Sequence, residues 1–181
     1  MIQKQFLSPH FCLDEFTKSS TAIKHGIQNT PPQEAVENLR RLCANTLEPL
    51  REEIGLPVVI TSGFRTKALN DLLAHSSERS QHMQGQAADF YVAPLPSTSS
   101  GSGSASGAGE PGLSRRELLI KAFRLIITSE QIDYDQLILY PSFIHVSYVS
   151  RERNRRTILL GMRNGKLGYG KCSVQNALKI Q

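Results

Sequence analysis

Between residues 33 and 55 apolar side chains recur at three- and four-residue spacing: Ala35, Val36, Leu39, Leu42, Cys43, Leu47, Leu50 and Ile54. That period is the stripe of an amphipathic helix facing a core. Thr30-Pro31-Pro32-Gln33 reads as its start, with Thr30 as cap, Pro31 in the first helical position and Gln33 closing a T-x-x-Q capping box. Gly55 reads as its stop, and Pro49 predicts a kink in the last turns. Ser114-Arg115-Arg116-Glu117 is a second capping box, followed by Leu118, Leu119, Ala122, Phe123, Leu125 and Ile126 on one helical side. Residues 67–74 predict a short helix.

Strand patterns interrupt and follow these helices. Residues 57–61 read as a short buried strand ending in the Ser62-Gly63 turn signal, and Phe90-Tyr91-Val92 as another. Residues 136–140, 143–149 and 157–162 predict three more, with Asn164-Gly165 as a hairpin turn into 166–169. Helices packed on a mainly antiparallel sheet make the expected fold class α+β.

Residues 94–113 break the pattern. Pro94 to Gly112 holds almost no apolar side chain able to pack, so it buries too little to offset its ordering entropy. The alternative is a linker between two domains, but the second flank is too short and strand-rich for a core of its own, so the run is expected to be a disordered insertion in one domain spanning 1–181.

Composition narrows the partners. The chain has 181 residues, 39% of them hydrophobic, and 21 Lys+Arg against 16 Asp+Glu give a net charge of +5. This permits a polyanionic partner without selecting one. The run Arg151-Glu152-Arg153-Asn154-Arg155-Arg156 has no interleaved aromatics, and a solvated hairpin accounts for it better than a nucleic-acid surface. No stretch is long and apolar enough for a transmembrane helix, and the first residues lack a secretory h-region, so a soluble chain is expected. Cys12, Cys43 and Cys172 are odd in number and lack CxxC spacing, which implies neither a disulfide framework nor a cysteine metal cluster. A reducing compartment at synthesis fits.

Of the five histidines, His10, His25 and His75 have no partners at ligand spacing. His145 lies mid-strand, and alternation puts it on the face opposite Ile144 and Val146, where it can line a cleft. Taken alone, a strand histidine or a His82–Asp89 pair signifies little. The whole string Ser80, His82, Gly85, Ala87 and Asp89, S-x-H-x-x-G-x-A-x-D, is specific. It resembles the zinc D-Ala-D-Ala peptidases: Van-type dipeptidases and carboxypeptidases, phage L-alanyl-D-glutamate endolysins and the wider hedgehog/DD-peptidase fold. FTKSSTAIKHGIQNTPP, PVVITSGFRTKALN and DQLILYPSFIHVSY look like successive segments of the carboxypeptidase-like branch.

The resemblance implies that His82, Asp89 and His145 hold one zinc ion. Two imidazoles and a carboxylate leave the fourth tetrahedral position for water, the arrangement of hydrolytic zinc. The resemblance further implies that Arg65 stabilises the oxyanion and that Ser80 contacts substrate or orients a ligand, its alternative being an ordinary turn cap. The general base stays open. Ser142 stands where two branches carry an acid, which leaves Asp135, Tyr140, Glu110 or none; Asp135 can equally support His145 or begin a strand. The implied substrate is the peptidoglycan stem peptide, cut by a monomeric D,D-carboxypeptidase or endopeptidase; the localisation stays open, and phage or prophage origin is one way for a chain without a secretory signal to reach the wall. Nucleic acid is not an expected partner. The rival readings are a non-catalytic zinc-bearing wall-binding module on the same fold and a basic nucleic-acid-binding protein with incidental histidines.

Overall fold

The computed structural model describes residues 4–74, 76–94, 113–163 and 166–180. Two short helices, α1 (Leu13–Thr17) and α2 (Ser20–Lys24), precede α3 (Gln33–Leu42). Neither short helix carries enough apolar repeat for a periodicity signal. A π-helical turn, Cys43–Leu47, joins α3 to α4 (Glu48–Ile54), which ends at Gly55 in the left-handed conformation. Then come β1 (Val58–Ser62), α5 (Lys67–Leu72), a 3-10 turn (Gln81–Gln84) and β2 (Ala87–Val92). After the segment 95–112, which lies outside the described residues, follow α6 (Arg115–Thr128), β3 (Gln136–Leu139), β4 (Ile144–Ser147), β5 (Thr157–Arg163), β6 (Lys166–Lys171) and α7 (Val174–Ala177). The expected turn at Asn164-Gly165 also lies outside the described residues. Among those residues no helix is long and apolar enough to cross a membrane.

The start of α3 differs from the expected one. Pro32 is the N-cap, extended at φ −68° and ψ 161°, and no side chain caps the helix. The physical reason is the second proline: Pro32 excludes the α region for Pro31, so Pro31 cannot occupy the first helical position and Thr30 stands too far back. Gln33 bonds forward to Glu37 instead. The Ser114 capping box forms as expected, with Ser114 accepting from the Glu117 amide and Glu117 accepting from the Ser114 amide.

Pro49 produces a π turn ahead of α4 and a tertiary anchor. With no N–H at Pro49, the Asn45 carbonyl lacks its helical donor. The Asp133 amide donates to it at 3.0 Å, and the Thr46 hydroxyl donates to the Asp133 carbonyl. The helix break thus fixes the approach to β3.

The six strands form one sheet in the order β1-β2-β4-β3-β5-β6. Every pairing is antiparallel except β3 with β5. Because β2 pairs with β4, chain from both sides of segment 95–112 shares the sheet. Strand alternation sorts the two faces. Ala88, Phe90, Leu137, Leu139, Ile144 and Val146 enter a core with α3, α4 and α6, where Leu39, Leu47, Leu50 and Phe123 are fully buried. The opposite face carries Asp89, Ile138 and His145 and floors a cavity of about 1020 Å³.

Candidate metal centre

The sheet register assembles the centre. Asp89 on β2 sits directly opposite His145 on β4, and Ser62 on β1 is opposite Asp89. Opposed residues of an antiparallel pair share a face with their Cβ atoms about 5 Å apart. The third side chain, His82, comes from the 3-10 turn before β2. Gly85 reverses that turn at φ +68°, and a Cβ there would lie 2.3 Å from the Ala35 carbonyl oxygen. Only glycine satisfies both the left-handed backbone and the close approach to α3.

The three potential ligating atoms form a tight triangle. Asp89 Oδ1 lies 2.8 Å from His145 Nδ1 and 3.4 Å from His82 Nε2, and the two imidazole nitrogens are 3.2 Å apart. Ligands about 2.0–2.1 Å from a tetrahedral zinc ion stand roughly 3.3 Å from one another, so the donor set and its spacing fit that metal. Among the described residues this is the group of histidine and carboxylate side chains able to hold an ion. His82 Nδ1 donates to the Gly63 carbonyl at 2.7 Å, which leaves the Nε2 lone pair facing the other two ligands.

The electrostatics agree. Burial keeps the His82 imidazole below its ordinary pKa, hence neutral and able to ligate at neutral pH. Burial opposes ionisation of Asp89, but the two imidazoles outweigh it and hold the carboxyl well below the usual range. Arg65 adds a cation: its Nη2 is 3.5 Å from Asp89 Oδ2, and its side chain is only 13% exposed. The Arg65 amide also donates to the His82 carbonyl, tying the segment after β1 to the His82 turn.

The remaining candidates line the cavity in different ways. Ser80 precedes the 3-10 turn without a side-chain cap bond, so its hydroxyl is not used as a turn cap. Tyr140 stacks on Phe143 with ring centroids 4.3 Å apart and covers Gly161, where a Cβ would run into the tyrosine ring. Asp135 is buried and does not contact His145. Its carboxylate accepts from Gln81 Nε2, the Arg155 amide and Arg155 Nε and Nη2. Burial again opposes ionisation, and the Arg155 hydrogen bonds outweigh it, so the carboxyl sits below its usual range. Glu110 and His75 lie outside the described residues. His10 is remote from the centre and pairs with Glu48.

The basic run is more than a solvated hairpin. Arg155 grips Asp135, Arg156 pairs with Asp133 and lies over the Tyr134 ring, and Arg153 lines the cavity. Sequence reasoning also missed Gly63, Gln81 and Arg79. A backbone carbonyl leaves no side-chain signature, and Gln81 was visible only as the neighbour of His82.

Asp135 supplies a pH prediction. A carboxyl whose folded pKa is depressed stabilises the fold above its unfolded pKa of about 3.9, and that contribution is lost as pH falls through the folded value. Asp135→Asn is expected to lower stability at pH 7 and to flatten the acid limb of the stability curve below about pH 4. Urea unfolding between pH 2 and pH 7 checks this, and parallel curves for the two proteins would contradict it.

A comparison with curated proteins gives no match. The family model described as Peptidase M15 matches residues 9–115, more than half of the 181-residue chain. The matched span contains Arg65, Ser80, His82 and Asp89, while His145 lies beyond it and joins them through the β2–β4 pairing. A matched sequence span carrying two of the three candidate ligands, the third brought in by the sheet, and an α+β fold of the hedgehog/DD-peptidase kind together place the chain in the peptidase M15 family of zinc-dependent metallopeptidases.

Proposed function

We propose that the protein is a zinc-dependent hydrolase of peptidoglycan stem peptides, a D,D-carboxypeptidase or endopeptidase acting at D-Ala-containing bonds. The observation that carries this reading is the 2.8–3.4 Å triangle of His82, Asp89 and His145 at the floor of a peptide-sized cavity. We read residues 1–181 as one domain, with 94–113 inserted between β2 and α6.

One zinc ion held by His82, Asp89 and His145 would supply a Lewis acid and an acidified water. The protein's own groups do the rest. Gly63 holds His82 in the ligating tautomer, and Asp89 is the anionic member of the set, within 3.4 Å of His82 Nε2 and 2.8 Å of His145 Nδ1. Arg65 sets a guanidinium beside the centre, ready for the negative oxygen that develops as a peptide carbonyl is attacked. Tyr140 offers a phenolic proton at the cavity wall, and Ser80 a hydroxyl for the substrate backbone. For Asp135 we favour support over proton transfer. Its oxygens already accept four N–H donors, and a carboxyl held below its usual range is a weak base. Its work is to hold Gln81, and so the His82 turn, against Arg155.

Mass spectrometry of purified muropeptides incubated with the protein, with and without a zinc chelator, tests the reading. Chelator-sensitive loss of terminal D-alanine is the carboxypeptidase result, and scission at a cross-link or after L-alanine the endopeptidase result. A protein with one equivalent of zinc that cuts nothing would overturn the proposal in favour of a wall-binding module.

A further inference from the structure

The charge balance of the cavity is unequal. Four arginines line it, Arg65, Arg79, Arg153 and Arg155, against two acids, Asp89 and Asp135. Both acids are committed: Asp89 to the two imidazoles and Arg65, Asp135 to Arg155 and Gln81. Among the described residues Arg79 and Arg153 have no carboxylate partner within salt-bridge distance. Their acidic neighbours in sequence do not supply one. Glu78 acts on Lys67 and Glu152 on Arg151, and neither glutamate lines the cavity.

The two arginines come from different segments. Arg79 belongs to the loop before the His82 turn, and Arg153 to the turn between β4 and β5, whose amide donates to the Ser150 carbonyl. A planar guanidinium with paired donors is matched to a carboxylate, and both of these line the cavity from exposed positions open to an incoming ligand. We propose that Arg79 and Arg153 form an anion-selecting rim that makes the enzyme prefer peptides carrying free carboxylates over the same peptides in carboxamide form. The inference rests on the peptidase reading above and narrows its substrate class to acidic peptides. It also assigns a function to the basic run that neither metal binding nor bond cleavage requires.

The test compares a stem-type pentapeptide bearing its free carboxylates with the same peptide in which every carboxylate except the C-terminal one is a carboxamide. For the wild-type protein loaded with zinc, kcat/KM is expected to favour the carboxylate peptide about tenfold, chiefly through KM, and the preference should shrink as salt rises. In the double variant Arg79→Gln, Arg153→Gln that ratio should fall towards one, while zinc content stays at one equivalent. A wild-type ratio near one, or a ratio unchanged in the double variant, overturns the inference and leaves the proposed hydrolase intact. If neither peptide is cut, the proposed function fails, and equilibrium binding of the two peptides decides the rim separately. Tighter, salt-sensitive binding of the carboxylate form that is lost in the double variant supports it, and equal binding refutes it.

Discussion

Changing His145 to alanine is expected to weaken zinc binding by more than about 100-fold and to reduce peptide hydrolysis by about 10³-fold or more. His145 Nδ1 is 2.8 Å from Asp89 Oδ1 and 3.2 Å from His82 Nε2, so its loss removes one corner of the ligand triangle. Disturbing a residue behind a ligand typically costs 10–100-fold in affinity, and removing a ligand itself exceeds that. The fold should survive, because His145 lies on the cavity face of β4 while Ile144 and Val146 hold the strand to the core. Competition with a chromogenic chelator measures the affinity, and far-ultraviolet circular dichroism verifies the fold. Zinc bound one to one with undiminished affinity in a folded His145→Ala protein would remove His145 from the centre. Equal loss in a misfolded protein would be uninformative, so His145→Gln, which keeps a polar group of similar length, is measured beside it and should show the same loss with a native spectrum.

Arg65 should behave in the opposite way. Arg65→Ala is expected to lower kcat by about 10²–10³-fold, the range for removing one fixed donor from an oxyanion, while zinc stays bound. The guanidinium is not one of the three candidate ligands, and both imidazoles face the same carboxylate independently of it. Metal affinity should therefore fall by no more than the roughly 10–100-fold typical of a residue behind a ligand, less than the loss expected for His145→Ala. Arg65→Lys keeps the charge but not the fork, and an intermediate rate is expected. Steady-state kinetics with zinc analysis of the same samples separates the roles. A rise in KM at unchanged kcat would mean that Arg65 binds substrate and transition state alike, and loss of zinc would make it a structural prop of Asp89.

The sequence carried much of this because several of its signals are local. The apolar stripe from Ala35 to Ile54 and the Ser114 capping box each depend on residues within a turn or two, and both appear in the structure. The string from Ser80 to Asp89 is likewise compact, which is why two of the three candidate metal ligands fall in one recognisable segment. Where the local reading failed, a neighbour it undervalued was decisive: Pro32 displaced the start of α3 because it restricts Pro31. Pro49 was legible as a break in the helix. That the freed Asn45 carbonyl would receive the Asp133 amide, 88 residues on, was not.

Residue types, strand and helix periods, the family and the two imidazoles with a carboxylate were determined by the sequence alone, since each is set by side-chain chemistry at short separation. The tertiary structure decided the rest. Asp89 and His145, 56 positions apart, became neighbours only through the β2–β4 register, and a slip of one residue would turn His145 to the other face. The Gly63 carbonyl met His82 because β1 and the 3-10 turn converge, and Asp135 was drawn to Gln81 and Arg155 rather than to His145. Such contacts follow from the packing free energy of the whole sheet against α3, α4 and α6, a sum over many distant pairs that no short stretch of chain contains.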